Sequence, residues 1–409
     1  ADGVVLTDGH VSASVSGPSR AGMLTGRYQQ RAGYECNLEG DYGLDTEAVT
    51  MGDIFKADGY ETICIGKWHQ GDPAQFHPNK RGFDNFYGFV SGGRSYFYRP
   101  NKEDRAGDSH NLQRDGVQQH FDGYLTDILT SGATEYISTF AAEQKPFMMY
   151  LAYNAVHTPM EASEEDLARF EGHPRQALAA MTWAVDRGIG KVVDELKEKG
   201  IYDNTLIFFI SDNGGAHNND SCNAPLKGFK GNKFEGGHRV PYFMTYGSRF
   251  KGRKYDGLVS SLDMLPTAAA AAGIATDALE QPFDGVDIIP YLNGEIEGEP
   301  HEVLYWRKDE MAAIRMGDYK LIRVKEVGTR LYNLAENLNE DTDLQDIEPE
   351  IYAKMSASLV EWEQGLVNPV VWDEGIWNLV TRQIHKDLME NKEVSCSNPV
   401  EYKKLYQKK

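Results

Sequence analysis

The sequence predicts an α/β fold. A mostly parallel central sheet flanked by helices is followed by a smaller C-terminal α+β subdomain containing an antiparallel sheet. Three observations carry this reading. Short apolar runs alternate with stretches of helical period, the pattern of βαβ units. The runs are continuous rather than alternating, as in strands covered on both faces. Each run ends in polar, titratable residues, and open α/β sheets bind ligands at that edge.

Taken in order, residues 48–58 read as an amphipathic helix with Met51, Ile54 and Phe55 on one face. Residues 59–66 form a β-rich run ending in Lys67-Trp68-His69. A long helix over 124–143 leads to a strand over 147–153, which ends in Asn154-Ala155-Val156-His157. A second long helix over 177–199, with Gly200 suited to its stop, leads to a strand over 205–211 ending in Asp212-Asn213-Gly214-Gly215. Connections of this kind are right-handed. Between Pro290 and Pro300 the pattern changes. Short antiparallel strands are expected over 303–306, 312–315, 319–323 and 330–334, then a helix over 351–364. This divides the chain into an α/β domain over 1–295 and a subdomain with its tail over 296–409. Beyond Asn368 the tail, with Trp372 and Trp377, is expected to pack as a helix, and residues 403–409 to be disordered.

The 409 residues are enough for a large core. A formal charge of −20 excludes general nucleic-acid binding, and no apolar run reaches membrane-spanning length. Cys36, Cys64, Cys222 and Cys396 are scattered without metal-ligand spacing, so neither a disulfide framework nor a cysteine metal site is expected, and Cys64 reads as a buried thiol. An acidic protein that handles an anion must gather positive charge at one place.

Residues 16–27, Ser-Gly-Pro-Ser-Arg-Ala-Gly-Met-Leu-Thr-Gly-Arg, place a reactive side chain on the start of a helix. Pro18 suits the first helical position and Gly26 the stop. Ser16 and Ser19 lie where unpaired N–H groups and the helix dipole favour an anion, and Arg20 adds a full positive charge. An ordinary capped helix has some of these features too. The whole string, however, resembles the signature of the formylglycine-dependent (type I) sulfatases of the alkaline phosphatase superfamily, whose first residue is oxidised to Cα-formylglycine. Ser16 holds that position. A serine there implies a serine-type member matured by a dedicated enzyme, a Cys→Ser change, or an unconverted protein.

The resemblance runs from the opening residues to about Glu363. Gly66-Lys67-Trp68-His69 implies Lys67 on the sulfate and His69 as the base of the second step. Asn154-Ala155-Val156-His157-Thr158-Pro159 implies His157 at the ester oxygen. Asp212-Asn213 is a turn in most proteins. At a strand end matching the family it implies, with Ser16, a site for Ca²⁺ or Mg²⁺, both hard cations that prefer oxygen. The stretch 223–231 implies Lys230 as a second cation on the sulfate, with Lys227 where arginine is common, and 235–241 leaves His238 either facing the site or packing. Arg20, Lys67, His69, His157, Lys230 and Ser16 are thus the expected catalytic set. Family members carry an earlier strand ending in paired aspartates; nothing here matches it, so that strand is either absent from this stretch or lost.

The loop Gly92-Gly93-Arg94-Ser95-Tyr96-Phe97-Tyr98-Arg99 mixes aromatics with arginines, and Arg94 and Tyr96 are expected to meet a sugar. The implied activity is hydrolysis of a sulfate ester on carbohydrate in a periplasmic or secreted setting. The alternatives are a phosphodiester or phosphonate monoester hydrolase of the same superfamily and a non-catalytic binder of sulfated glycans.

Overall fold

The computed structural model describes residues 2–372 and 375–406. In chain order its strands are β1 (Val4–His10), β2 (Glu61–Lys67), β3 (Asn85–Phe89), β4 (Gln113–Arg114), β5 (Val117–Gln118), β6 (Phe147–Ala152), β7 (Leu206–Ile210), β8 (Tyr242–Tyr246), β9 (Arg253–Ser260), β10 (Val303–Lys308), β11 (Met311–Met316), β12 (Tyr319–Val324) and β13 (Gly328–Asn333).

Two sheets, which carry the ends that meet at the site, mix parallel and antiparallel pairs. One sheet has the order β5-β4-β3-β2-β6. Within it β2 runs parallel to both neighbours, with Ile63 opposite Asn85 of β3 and Met149 of β6. The other has the order β7-β8-β1-β9, with β1 parallel to β9 and antiparallel to β8. The expected strands over 59–66, 147–153 and 205–211 are β2, β6 and β7; β8 was not expected.

Local chemistry sets the helix ends. Helix α1 (Ser16–Thr25) stops at Gly26, whose φ of 63° is left-handed. Helix α2 (Met51–Ala57) starts in a capping box between Thr50 and Asp53. The long helices are α3 (Leu125–Ala142) and the helix Gln176–Glu198. Residues of β2 are fully buried, Ile63, Cys64 and Ile65 at 0 % exposure. The apolar runs of β6 and β7 predict the same, and the structure corrects this. Each strand pairs on one edge only among the described residues, and every residue of β7 stays partly accessible, Phe209 at 37 %.

The C-terminal sheet is an antiparallel meander, β10-β11-β12-β13. On one face Met355 and Leu359 of the helix Pro349–Gln364 pack on Ala312, Ile314, Leu321 and Leu331. On the other, Trp306 and Ile322 share a core with Phe234 and Leu258 and with Val380, Ile384 and Leu388 of the helix Ile376–Met389. The tail therefore packs as a helix. Residues 403–406, expected to be disordered, belong to a further helix, Pro399–Tyr406; 407–409 lie outside the described residues. Among the described residues none of the four cysteines forms a disulfide, and no helix is long and apolar enough to cross a membrane.

His385 fastens this tail. Its Nδ1 lies 2.7 Å from the Thr381 carbonyl, and its Nε2 accepts the Lys233 N–H at 3.1 Å. The ring is therefore neutral. Burial, reinforced by Lys233, pushes its pKa from 6.5 down to about 3. The unfolded chain takes a proton there that the folded chain refuses, so stability is lost as pH falls from 6.5 toward 3. The slope approaches about 1.4 kcal/mol per pH unit. Urea unfolding at pH 7.5, 6 and 5 should show a shallower acid loss for His385→Gln than for the wild type; parallel losses would contradict this.

Candidate active site

Five chain segments deliver the site. The N-terminal part of α1 carries Ser16 and Arg20; the ends of β2, β6 and β7 carry Lys67, His157 and the Asp212-Asn213 pair. The loop that brings Lys230 is pinned by its own N–H to the Gly215 carbonyl at 3.0 Å, and by the Gly231 N–H to the Ser14 carbonyl at 2.9 Å. Ser16, Arg20, Lys67, His157, Asp212, Asn213 and Lys230 all line one cavity of about 100 Å³.

Helix α1 begins at Ser16 itself, so Pro18 sits inside the first turn rather than opening it. The free Gly17 N–H is capped by Asn37 Oδ1 at 2.9 Å. Ser16 is 2 % exposed, and its Oγ donates to Asn213 Oδ1 at 3.2 Å. Arg20 grips Asp212 through Nε at 2.9 Å and Nη2 at 2.8 Å. Its Nη1 reaches the Lys67 carbonyl and the Tyr150 hydroxyl, both at 3.3 Å. Arg20 is thus held by the protein. Burial would raise the Asp212 carboxyl, but Arg20, Lys67 and Lys230 overcome it and hold Asp212 far below the usual carboxylate range.

Positive charge is in excess here. Lys67 is 1 % exposed, and neither its ammonium nor that of Lys230 has an ion-pair or hydrogen-bond partner among the described residues. Burial and the nearby Arg20 push the pKa of each down. His157 is pulled to about 4 by burial and by Lys230 and Lys67. Its Nδ1 lies 2.8 Å from the Thr158 carbonyl, so Nδ1 carries the proton and Nε2 is left free. His69 is pushed well below 6.5 by burial and Lys67; its Nδ1 is buried without a partner. It stands beside Lys67 but is not part of the cavity wall.

Two expected sugar contacts, Arg94 and Tyr96, are corrected, and of the two alternatives for His238 it is packing that occurs. Arg94 is 3 % exposed and bonded to both Asp104 oxygens, at 2.9 and 2.7 Å. Tyr96 is 0 % exposed, its hydroxyl spent on backbone carbonyls. His238 is stacked 4.1 Å from Trp306 and faces His10. The loop borders the site through its glycines instead. A Cβ on Gly92 would stand 2.5 Å from His69 Nε2, and one on Gly93 3.4 Å from His157 Nδ1. Lys227 is a support, donating to the Glu340 carbonyl at 2.8 Å.

Sequence reasoning passed over Asn154. It lines the cavity, and both its amide atoms are buried without partners. Its place at the head of the Asn-x-x-His-x-Pro stretch was the available signal.

For a hard cation, Asp212, Asn213 Oδ1 and Ser16 Oγ are donors of the right kind. They are short in charge, since one carboxylate faces Arg20, Lys67 and Lys230. His10, Glu235 and His238 also have metal-ligand spacing, but Lys320 Nζ stands 2.8 Å from Glu235 and 3.1 Å from His238 and takes the space an ion would need.

The Sulfatase family model matches residues 1–274. The chain is 32 % identical over 333 residues to an uncharacterized Escherichia coli sulfatase, YdeN, covering 75 % of this chain and 58 % of that one. It is 30 % identical over 348 residues to the dog N-acetylgalactosamine-6-sulfatase, covering 78 % and 65 %. It therefore spans less than two thirds of these relatives. Among solved structures, Ps i-CgsB in complex with k-i-k-neocarrahexaose matches with a TM-score of 0.86 at 34 % identity, over 92 % of this chain and 88 % of that one. An α/β scaffold that collects cations around a helix-borne hydroxyl is what the alkaline phosphatase type of fold presents here. The chain belongs to the sulfatase family.

Two cationic side chains that line one cavity without a carboxylate partner should bind an anion. Lys67→Met and Lys230→Met should each weaken inorganic sulfate binding, read by calorimetry, by tenfold or more, the worth of about 1.5–3 kcal/mol for a charged hydrogen bond. Lys67→Met should also unfold at a higher temperature than wild type, because it removes an unpaired buried charge. Unchanged sulfate binding would contradict the assignment.

Proposed function

We propose that the protein hydrolyses a sulfate ester on a sulfated carbohydrate, with carrageenan-type galactans as the first substrate to test. The observation that carries this reading is the pair of unpartnered lysines beside the Ser16 hydroxyl, Lys67 buried and Lys230 partly so. The solved relative bound to a neocarrahexaose supports the choice of glycan.

In this reading residue 16 is converted to Cα-formylglycine by a separate maturation enzyme. One hydroxyl of the hydrated side chain attacks sulfur, its proton passing to the adjacent Asp212 carboxylate, and the bond to the sugar oxygen breaks. Lys67 and Lys230 hold the sulfuryl oxygens, where charge builds in a site poor in water. Arg20 keeps Asp212 aligned. The negative sulfuryl group between the two lysines offsets their share of the lowering of His157's pKa, the larger share being burial. His157 takes up a proton from solvent as the substrate binds and gives it from Nε2 to the leaving alcohol oxygen. His69 then takes the proton of the second hydroxyl; the carbon–oxygen bond to sulfate breaks and the aldehyde is restored.

Asp212, Asn213 and the oxygen of residue 16 would hold a Ca²⁺, with Mg²⁺ as the alternative. Such an ion would acidify a bound hydroxyl and offset sulfuryl charge. Further carboxylates are needed. The same reading places the protein in the periplasm or outside the cell.

The experiment is to produce the full-length protein with a serine-type maturation enzyme, score conversion by intact mass, and follow sulfate release from defined sulfated oligosaccharides. Parallel arms use a phosphate diester and a phosphonate monoester. Conversion removes two hydrogens from residue 16, and sulfate release should rise with the converted fraction. Glycan binding without release by fully converted protein, or faster turnover of a phosphorus ester, would overturn the proposal.

A further inference from the structure

The turn that carries His157 is held from behind by a side chain outside the cavity wall. The Tyr96 hydroxyl lies 2.9 Å from the Asn154 carbonyl oxygen and 2.8 Å from that of His157. These are the two ends of one tight turn, closed by the His157 N–H donating to the Asn154 carbonyl at 2.8 Å. A single O–H shared between both carbonyls fixes their separation and the tilt of the turn.

Tyr96 is itself immobilised on every side. Its N–H donates to Glu161 Oε2 at 2.9 Å, and the same oxygen accepts the Ser95 hydroxyl at 2.7 Å. Its carbonyl accepts the N–H of Leu125, the first residue of α3, at 2.8 Å. Its ring lies stacked on Tyr124, with centroids 5.4 Å apart and an interplanar angle of 20°. Tyr124 in turn donates to the Glu161 carbonyl at 2.9 Å. The phenol is therefore a rigid post rooted in α3 and the segment around Glu161, and it ends under the turn. The His157 ring is further restrained at Nδ1, 2.8 Å from the Thr158 carbonyl with the Thr158 hydroxyl at 3.4 Å. That bond sets the ring's rotation, whereas Tyr96 sets where its backbone stands.

We infer that Tyr96 is a positioning residue for proton donation. It fixes the place of His157 Nε2 relative to the ester oxygen while never touching substrate. The inference rests on the reading of His157 as the acid that protonates the leaving alcohol. Displacements below an ångström at a reacting group cost large factors in rate, and two shared hydrogen bonds to a turn are enough to control such a displacement.

The test compares Tyr96→Phe and His157→Ala with wild type in the full-length, matured protein. The substrates are aryl sulfates of graded leaving-group pKa, from 4-nitrophenyl sulfate upward, and an alkyl sulfate. Good leaving groups need no acid; poor ones do. His157→Ala should lose progressively more activity as the leaving group worsens. Tyr96→Phe, which keeps the stacked ring, should show the same steepening at smaller scale, roughly a tenfold loss in kcat on the alkyl ester with little change on 4-nitrophenyl sulfate. Its KM should be unchanged. A merely structural role would slow all substrates alike, and that result, or no loss in Tyr96→Phe beside a steepened His157→Ala, overturns the inference. If His157→Ala shows no steepening, the proton-donor reading falls first and the positioning role with it.

Discussion

The ion pair between buried Arg20 and partly buried Asp212 is the constraint on which the rest of the site depends. It joins the N-terminal part of α1 to the end of β7, and through the Lys67 carbonyl it reaches the end of β2. A paired, largely desolvated carboxylate of this kind is costly to unmake, because removal of either partner leaves an uncompensated charge. With Asp212 and Arg20 neutralising each other, the charges of Lys67 and Lys230 remain over. The fold thus carries a standing electrostatic debt around the Ser16 hydroxyl, which an incoming anion discharges.

A second buried network holds the C-terminal sheet against this site. Lys320 on β12 reaches Glu235 and Glu340, each at 2.8 Å, and Arg315 on β11 reaches Asp8 of β1 at 3.2 Å. His10, bonded to Asp8 at 2.8 Å and to His238 at 3.0 Å, completes it. Glu235 to His238 form the short helical turn after the Lys230 loop, and the Gly237 carbonyl accepts the Gly214 N–H at 2.9 Å. The network therefore bears on the Asp212-Asn213 turn through two steps of backbone. This explains a wholly buried run of charge far from any substrate without assigning it chemistry.

Much of this was legible in the sequence because strand ends carry the chemistry. Lys67, His157 and Asp212 each follow an apolar run, and topology does the gathering. What the sequence could not display was the partner of each side chain. Arg94 and Tyr96 read as sugar contacts because an Arg-aromatic loop looks like one; Asp104 and the carbonyls of Asn154 and His157 are what claim them. Buried strands were read from composition alone, which does not say whether a neighbour covers the second edge, and β6 and β7 differ from β2 on that point. The strand β8, shielded by a short turn after Gly236 and Gly237, had no helix before it to announce it.

The central claim is that the surplus charge of Lys67 and Lys230 exists to hold a sulfuryl group against residue 16. A crystal structure with a sulfated oligosaccharide bound tests it most directly. The account predicts sulfuryl oxygens about 2.8 Å from both ammonium groups, with sulfur facing the oxygen of residue 16. A sulfate group seated instead in the depression of about 430 Å³ around Lys227 and Asn391, with the two lysines left alone, would contradict it.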